Sequence, residues 1–81
     1  LHVVPKSRHS KQYARLLVAL RQARESAGMT QVDAAKSFGK HASFISKCES
    51  GERRIDVVEL AAFCRLYRVG LAAFLKHVGL E

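Results

Sequence analysis

What most narrows the folds open to this chain is its punctuation between Thr30 and Glu52, TQVDAAKSFGKHASFISKCESGE. Thr30 is a good helix N-cap, and Asp33, three residues on, completes a capping box or at least suits the positive end of a helix. Ala34, Ala35 and Phe38 then recur at the spacing of one buried helical face, and Gly39 supplies the left-handed residue that stops it. Ala42, Ile45 and Cys48 repeat at threes over the next stretch and leave Ser43, Ser46 and Lys47 on the opposite side, until Gly51 ends the run. Two short helices joined by a tight turn therefore occupy 30–50, the second with one apolar and one polar face.

That arrangement is a helix-turn-helix, the motif whose second helix is shaped to lie in a DNA major groove. The flanking segments carry the same kind of signals. Ser10 can cap a long first helix whose Tyr13, Leu16, Leu17, Leu20, Ala23 and Ala27 form the buried stripe, with Arg15, Arg21 and Arg24 largely outside it and Gly28 at its end. After a polar connection from Gly51 to Ile55, Asp56 and Glu59 make a second capping box for a fourth helix, lined on one side by Val57, Leu60, Ala61, Cys64 and Tyr67. A short, nearly all-apolar fifth helix runs from about Leu71 to Val78. The pattern predicts an all-α domain over 10–79, with Leu16, Leu20, Ala35, Phe38, Ile45, Leu60, Ala61, Cys64 and Leu75 among its buried residues. Residues 1–9, with Pro5, Lys6 and Arg8 and no periodicity, read as a flexible basic arm whose cations, with Lys11, can track phosphates.

Composition bounds the function. The 81 residues suffice for one modest core. Fourteen Lys and Arg against seven Asp and Glu give a net charge of +7, which draws polyanions, nucleic acid first among them. No segment approaches the roughly 20 apolar residues of a membrane span, and none reads as a signal peptide, so a cytoplasmic protein without a membrane partner is expected. Cys48 and Cys64 fall on apolar positions of separate helices, with no CxxC and no His at metal spacing; two buried thiols are expected, not a zinc site or a disulfide. The four His are scattered, and no Ser/His/Asp grouping or Gly-rich phosphate loop is present, so neither an enzyme nor a cofactor is expected.

From about Leu16 to Leu75 the chain resembles the phage-repressor and Cro type of helix-turn-helix, the xenobiotic-response-element family. LRQARESAGMTQ is similar to that family's first helix and the Gly-x-Thr-Gln leading into its second, Phe38-Gly39 to its turn, and Ile45-Ser46-Lys47-Cys48-Glu49-Ser50-Gly51 to the end of its recognition helix. The resemblance implies a five-helix lambda-repressor-like domain. It further implies sequence-specific duplex DNA binding, usually as a two-fold dimer and most often for repression, and an ion pair between Arg24 and Glu49. The chain departs from the family pattern at Ala34 (usually Leu, its volume restored by Phe38), Lys40 (Val), Ile55 (Pro), Arg68 (a helix-ending Gly) and Gly70 (a capping Ser or Thr).

On this reading Gln31, just after the cap of the second helix, meets a phosphate through its amide and the free backbone N–H groups, as it does in the family. His41 either donates to a guanine or phosphate or is simply a poor N-cap. Ala42 offers apolar contact to a thymine methyl or packs internally. Ser43 and Lys47 are the polar candidates for base edges, with Ser46 on the same face. Lys40, Arg53 and Arg54 touch the DNA backbone or are solvated surface charges, and Phe44 packs partly beside the core. Last-helix residues Leu71, Phe74, Leu75 and Val78 are too many for a monomer's solvent face, which points to a homodimer with recognition helices about 34 Å apart; the core is expected to claim Leu71 and Leu75 and leave Phe74 and Val78 for the partner copy. The same apolar helix would serve the other function open to this chain, a protein-interaction module or the antitoxin of a toxin-antitoxin pair.

Overall fold

The computed structural model describes residues 10–80. Within them lie five α-helices and no strand: α1 (Lys11–Ser26), α2 (Gln31–Ser37), α3 (Ala42–Ser50), α4 (Val57–Leu66) and α5 (Leu71–His77). The expected arm at 1–9, with Lys6 and Arg8, lies outside the described residues.

Side-chain caps start three of the helices. Ser10 Oγ accepts the Tyr13 N–H at 3.0 Å. Thr30 and Asp33 exchange bonds of 3.0 Å in each direction, and Asp56 and Glu59 exchange bonds of 2.7 and 3.1 Å, both complete capping boxes. His41 and Gly70, at the starts of α3 and α5, make no side-chain cap bond.

Four helices end in one way. The N–H of Met29, Lys40, Val69 and Leu80 each returns to the carbonyl five residues back, on Arg24, Ala35, Cys64 and Leu75 respectively. The chain reverses through a left-handed residue just before each of these, the geometry that lets the last carbonyls of a helix find donors. Three of those residues are Gly28, Gly39 and Gly79; the fourth is Arg68, at φ 63°, the one non-glycine with positive φ among the described residues. The departure from the family pattern at Arg68 thus keeps the glycine's backbone conformation and bears the steric cost of a side chain there.

α3 packs chiefly on α2 and α1, and α5 on α4. The core joins Leu16, Leu17 and Leu20 of α1 to Ala34 and Ala35, to Ile45 and Cys48, and to Leu60, Phe63, Cys64 and Tyr67. Phe38, Ala61 and Leu75, expected inside, are only half-buried, and Ala27, expected on the buried stripe of α1, lies past the last helical turn and is exposed. Phe38 sits at the end of α2 with its ring edge-on to Phe63, centroids 4.8 Å apart.

The last helix corrects the expected division of its apolar residues. Phe74 and Val78 are the core residues, 6% and 4% exposed, while Leu71 and Leu75 are half-buried at the flank. Both pairs have i, i+4 spacing, so helical periodicity serves either equally; the rotation of α5 against its neighbours decides, and it turns the Phe74–Val78 line inward.

Candidate nucleic-acid interface

The two faces of α3 are sharply divided. Ile45 and Cys48 are completely buried, at 0% exposure, and burial pushes the Cys48 thiol up, as an inert core thiol should be. Ser43, Ser46 and Lys47 are exposed, with His41 exposed at the N-cap and Ala42 half-buried beside it. Lys47 has no acidic partner among the described residues. A row of hydroxyl donors and one cation along a rigidly backed helix is suited to hydrogen-bonding base edges.

The far end of α3 is pinned by a buried network. Arg24 Nε lies 2.6 Å from Glu49 Oε2, and Nη2 donates to Oε1 at 3.1 Å, so the guanidinium and carboxylate meet as a two-bond fork. Their side chains are only 10% and 7% exposed. The remaining arm of Arg24 donates to the Met29 carbonyl at 2.9 Å, and Gln31 Nε2 donates to Glu49 Oε1 at 3.0 Å. The Glu49 hydrogen bonds push the Arg24 guanidinium further up, so it stays charged. Four bonds thereby fasten the end of α1, the chain leading into α2 and the last turn of α3 to one another. The pitch of the exposed strip is fixed by them.

This network also uses Gln31. The amide expected to meet a phosphate is half-buried and gives an N–H to Glu49. Chain spacing could not disclose this, because the bond closes across eighteen residues between two helices.

The two adjacent arginines after α3 behave differently. Arg53 forks onto Glu59, Nη1 to Oε1 at 3.0 Å and Nη2 to Oε2 at 2.8 Å; Nη1 also donates to the Arg54 carbonyl at 3.1 Å. Its guanidinium carbon stands 4.9 Å from the Phe44 ring centroid, on a ring whose other neighbours include Lys40 Nζ at 5.6 Å. Phe44 is half-buried and stacks on Phe63, with planes 14° apart and centroids at 6.4 Å. Arg54 has no acid partner among the described residues; its guanidinium carbon lies 5.3 Å from the centroid of Tyr13, whose hydroxyl accepts the Ile55 N–H at 3.1 Å. Sequence spacing marks Glu59 as a capping residue and Tyr13 as a core residue. Both also hold the loop that follows α3.

Asp33, Glu49, Asp56 and Glu59 are engaged in caps and ion pairs. Lys40, Lys47 and Arg54, around α3, are exposed and have no acidic partner among the described residues. No helix among the described residues is long and apolar enough to cross a membrane.

Comparison with known proteins agrees with this geometry. The helix-turn-helix domain family matches residues 15–75. The fold is similar to the solved structure of an XRE-family like protein from Pseudomonas syringae pv. tomato str. DC3000, with a TM-score of 0.82 and 41% sequence identity over 90% of this chain and 89% of that one. No curated protein sequence matches the chain significantly. The capped and glycine-punctuated helix pair, the buried pin at the end of α3 and these two likenesses together make the chain a member of the XRE-type helix-turn-helix family.

Proposed function

We propose that this protein is a sequence-specific duplex DNA-binding transcriptional regulator, a repressor, that reads the major groove with α3. The observation that carries this is the division of α3: Ser43, Ser46 and Lys47 exposed in a row on a helix whose other face is fully buried and whose end is pinned through Glu49. Ser43 and Lys47 serve as base-edge contacts, Ala42 as an apolar contact to a thymine methyl, and His41 and Ser46 as flanking donors. Lys40 and Arg54 meet backbone phosphates, and the net charge of +7 supplies sequence-independent attraction. Gln31 keeps its second amide N–H for a phosphate while Glu49 orients the first. Such a protein acts in the cytoplasm and carries out no catalysis.

The protein acts as a homodimer through α5. Leu71 and Leu75, half-exposed at the flank of the core, are the contact residues to test, since charging Phe74 or Val78 would unfold the monomer. Sedimentation of Leu71→Glu, Leu75→Glu at micromolar concentration is expected to give a folded monomer where wild type is a dimer. That half-exposed strip also favours a second reading, a protein-interaction module or antitoxin that presents α5 to a different protein. Fluorescence anisotropy titrations against genomic fragments, repeated across salt, separate the two: a regulator shows a fragment bound far more tightly than the rest, and an adaptor shows weak, sequence-blind binding.

A further inference from the structure

We propose that Glu59 sets how many phosphates this protein engages, by holding Arg53 out of the DNA contact while its neighbour Arg54 remains available to make one. The inference rests on the DNA-binding reading above and adds a determinant of affinity outside the helix-turn-helix itself.

Arg53 and Arg54 follow α3 directly, so by sequence they are equivalent candidates for the DNA backbone. Their surroundings are not equivalent. Both terminal nitrogens of Arg53 are bonded to the two oxygens of Glu59, the Arg54 carbonyl takes a further N–H, and the guanidinium lies against Phe44. A phosphate that reaches the N–H groups left on Nε and Nη2 meets a guanidinium whose charge Glu59 already balances, and to take the fork itself it must displace the carboxylate and the stacking contact. It would also leave the Glu59 carboxylate bare beside a polyanion, where like charges repel. Glu59 is itself held in place, because the same Oε1 that receives Arg53 also accepts the Asp56 N–H at 3.1 Å as part of the α4 capping box. Hydrogen bonding from Arg53 keeps the Glu59 carboxyl below the usual carboxylate range, so the pair is ionised throughout neutral pH. Arg54 lies against the Tyr13 ring and pairs with no acid among the described residues.

The test is the salt dependence of binding to a fluorescein-labelled mixed-sequence duplex, in which each phosphate neutralised steepens the plot of log affinity against log salt by about 0.9. Glu59→Gln retains an oxygen for the Asp56 N–H and removes the charge. It is expected to steepen the slope by about one phosphate, and adding Arg53→Ala in that background is expected to return the slope to the wild-type value. Arg54→Ala in the wild-type background is expected to flatten it by the same amount. A slope unmoved by Glu59→Gln, or a double variant flatter than wild type, overturns the inference. So that it does not depend on a variant's folding, the side-chain Nε–Hε resonances of wild type are followed as duplex is added. Arg54 is expected to shift and Arg53 to stay, and equal movement of both overturns the inference while leaving DNA binding intact. A wild-type protein that binds no duplex at any salt overturns this inference and the DNA-binding reading together.

Discussion

Removing Arg24 takes out the buried pin at the end of α3. The residue meets Glu49 through two bonds and the Met29 carbonyl through a third, with both charged side chains about nine-tenths out of water. Arg24→Met keeps most of the aliphatic stem and deletes the charge. Glu49 is then a buried carboxylate whose one remaining side-chain donor is Gln31. Stranding one member of a buried pair costs on the order of 3 to 5 kcal/mol, against roughly 4 to 12 kcal/mol of total stability for a domain of this length. Urea denaturation followed by circular dichroism reads the loss directly, as a fall in midpoint without a change in slope. The double variant Arg24→Met, Glu49→Leu removes both charges and is expected to recover most of the loss, because a buried ion pair replaced by apolar side chains of similar volume is often close to neutral. A single-variant cost below about 1 kcal/mol, typical of a solvent-exposed pair, would refute this account. So would a double variant less stable than either single one.

Three further outcomes are expected. Arg68→Gly relieves an L-residue held at φ 63° and should stabilise the domain by about 0.5 to 1 kcal/mol in the same urea assay; any destabilisation would mean that the Arg68 side chain makes a contact outweighing its backbone strain. The Tyr67 hydroxyl is buried without a hydrogen-bond partner among the described residues, and burial pushes its phenol up, so Tyr67→Phe should gain about 1 kcal/mol, whereas a loss of that size would expose a missed partner. Hydrogen bonds from Thr30 lower the Asp33 carboxyl and those from Arg53 lower Glu59; for a lowered carboxyl the folded state gains stability above the ordinary carboxylate range and loses it as pH falls through the lowered value. The urea midpoint should therefore drop on acidification, and drop less in Asp33→Asn and Glu59→Gln. A midpoint that falls equally in all three proteins would contradict the assignment.

Local signals were the legible ones. Ser10, Thr30 with Asp33, and Asp56 with Glu59 cap by reaching three residues along their own chain, so sequence spacing alone locates three helix starts. The glycine stops work the same way, and even the exception at Arg68 was visible as a residue standing in a glycine's place. What stayed hidden depends on elements meeting in space. The bond from Gln31 to Glu49 and that from Ile55 to Tyr13, which spans 42 positions, leave no periodic trace. The fork from Arg53 to Glu59 crosses from a loop to a helix start, where no fixed spacing rule applies. In α5 the period was right and the phase was not: Phe74 and Val78 occupy the core that Leu71 and Leu75 were expected to fill, because the rotation of so short a helix is set by its neighbours.

Base reading by the exposed strip of α3 is put to the test by selecting duplexes from a randomised pool with wild type and with Lys47→Ala. Wild type is expected to enrich a defined half-site. Lys47→Ala is expected to enrich the same half-site with one position relaxed, and to lose about 1 to 3 kcal/mol on the wild-type sequence while losing little on sequences changed at that position. No enriched sequence with wild type, or an equal loss on every duplex with Lys47→Ala, would contradict base reading by α3 and reduce its contact to the phosphate backbone.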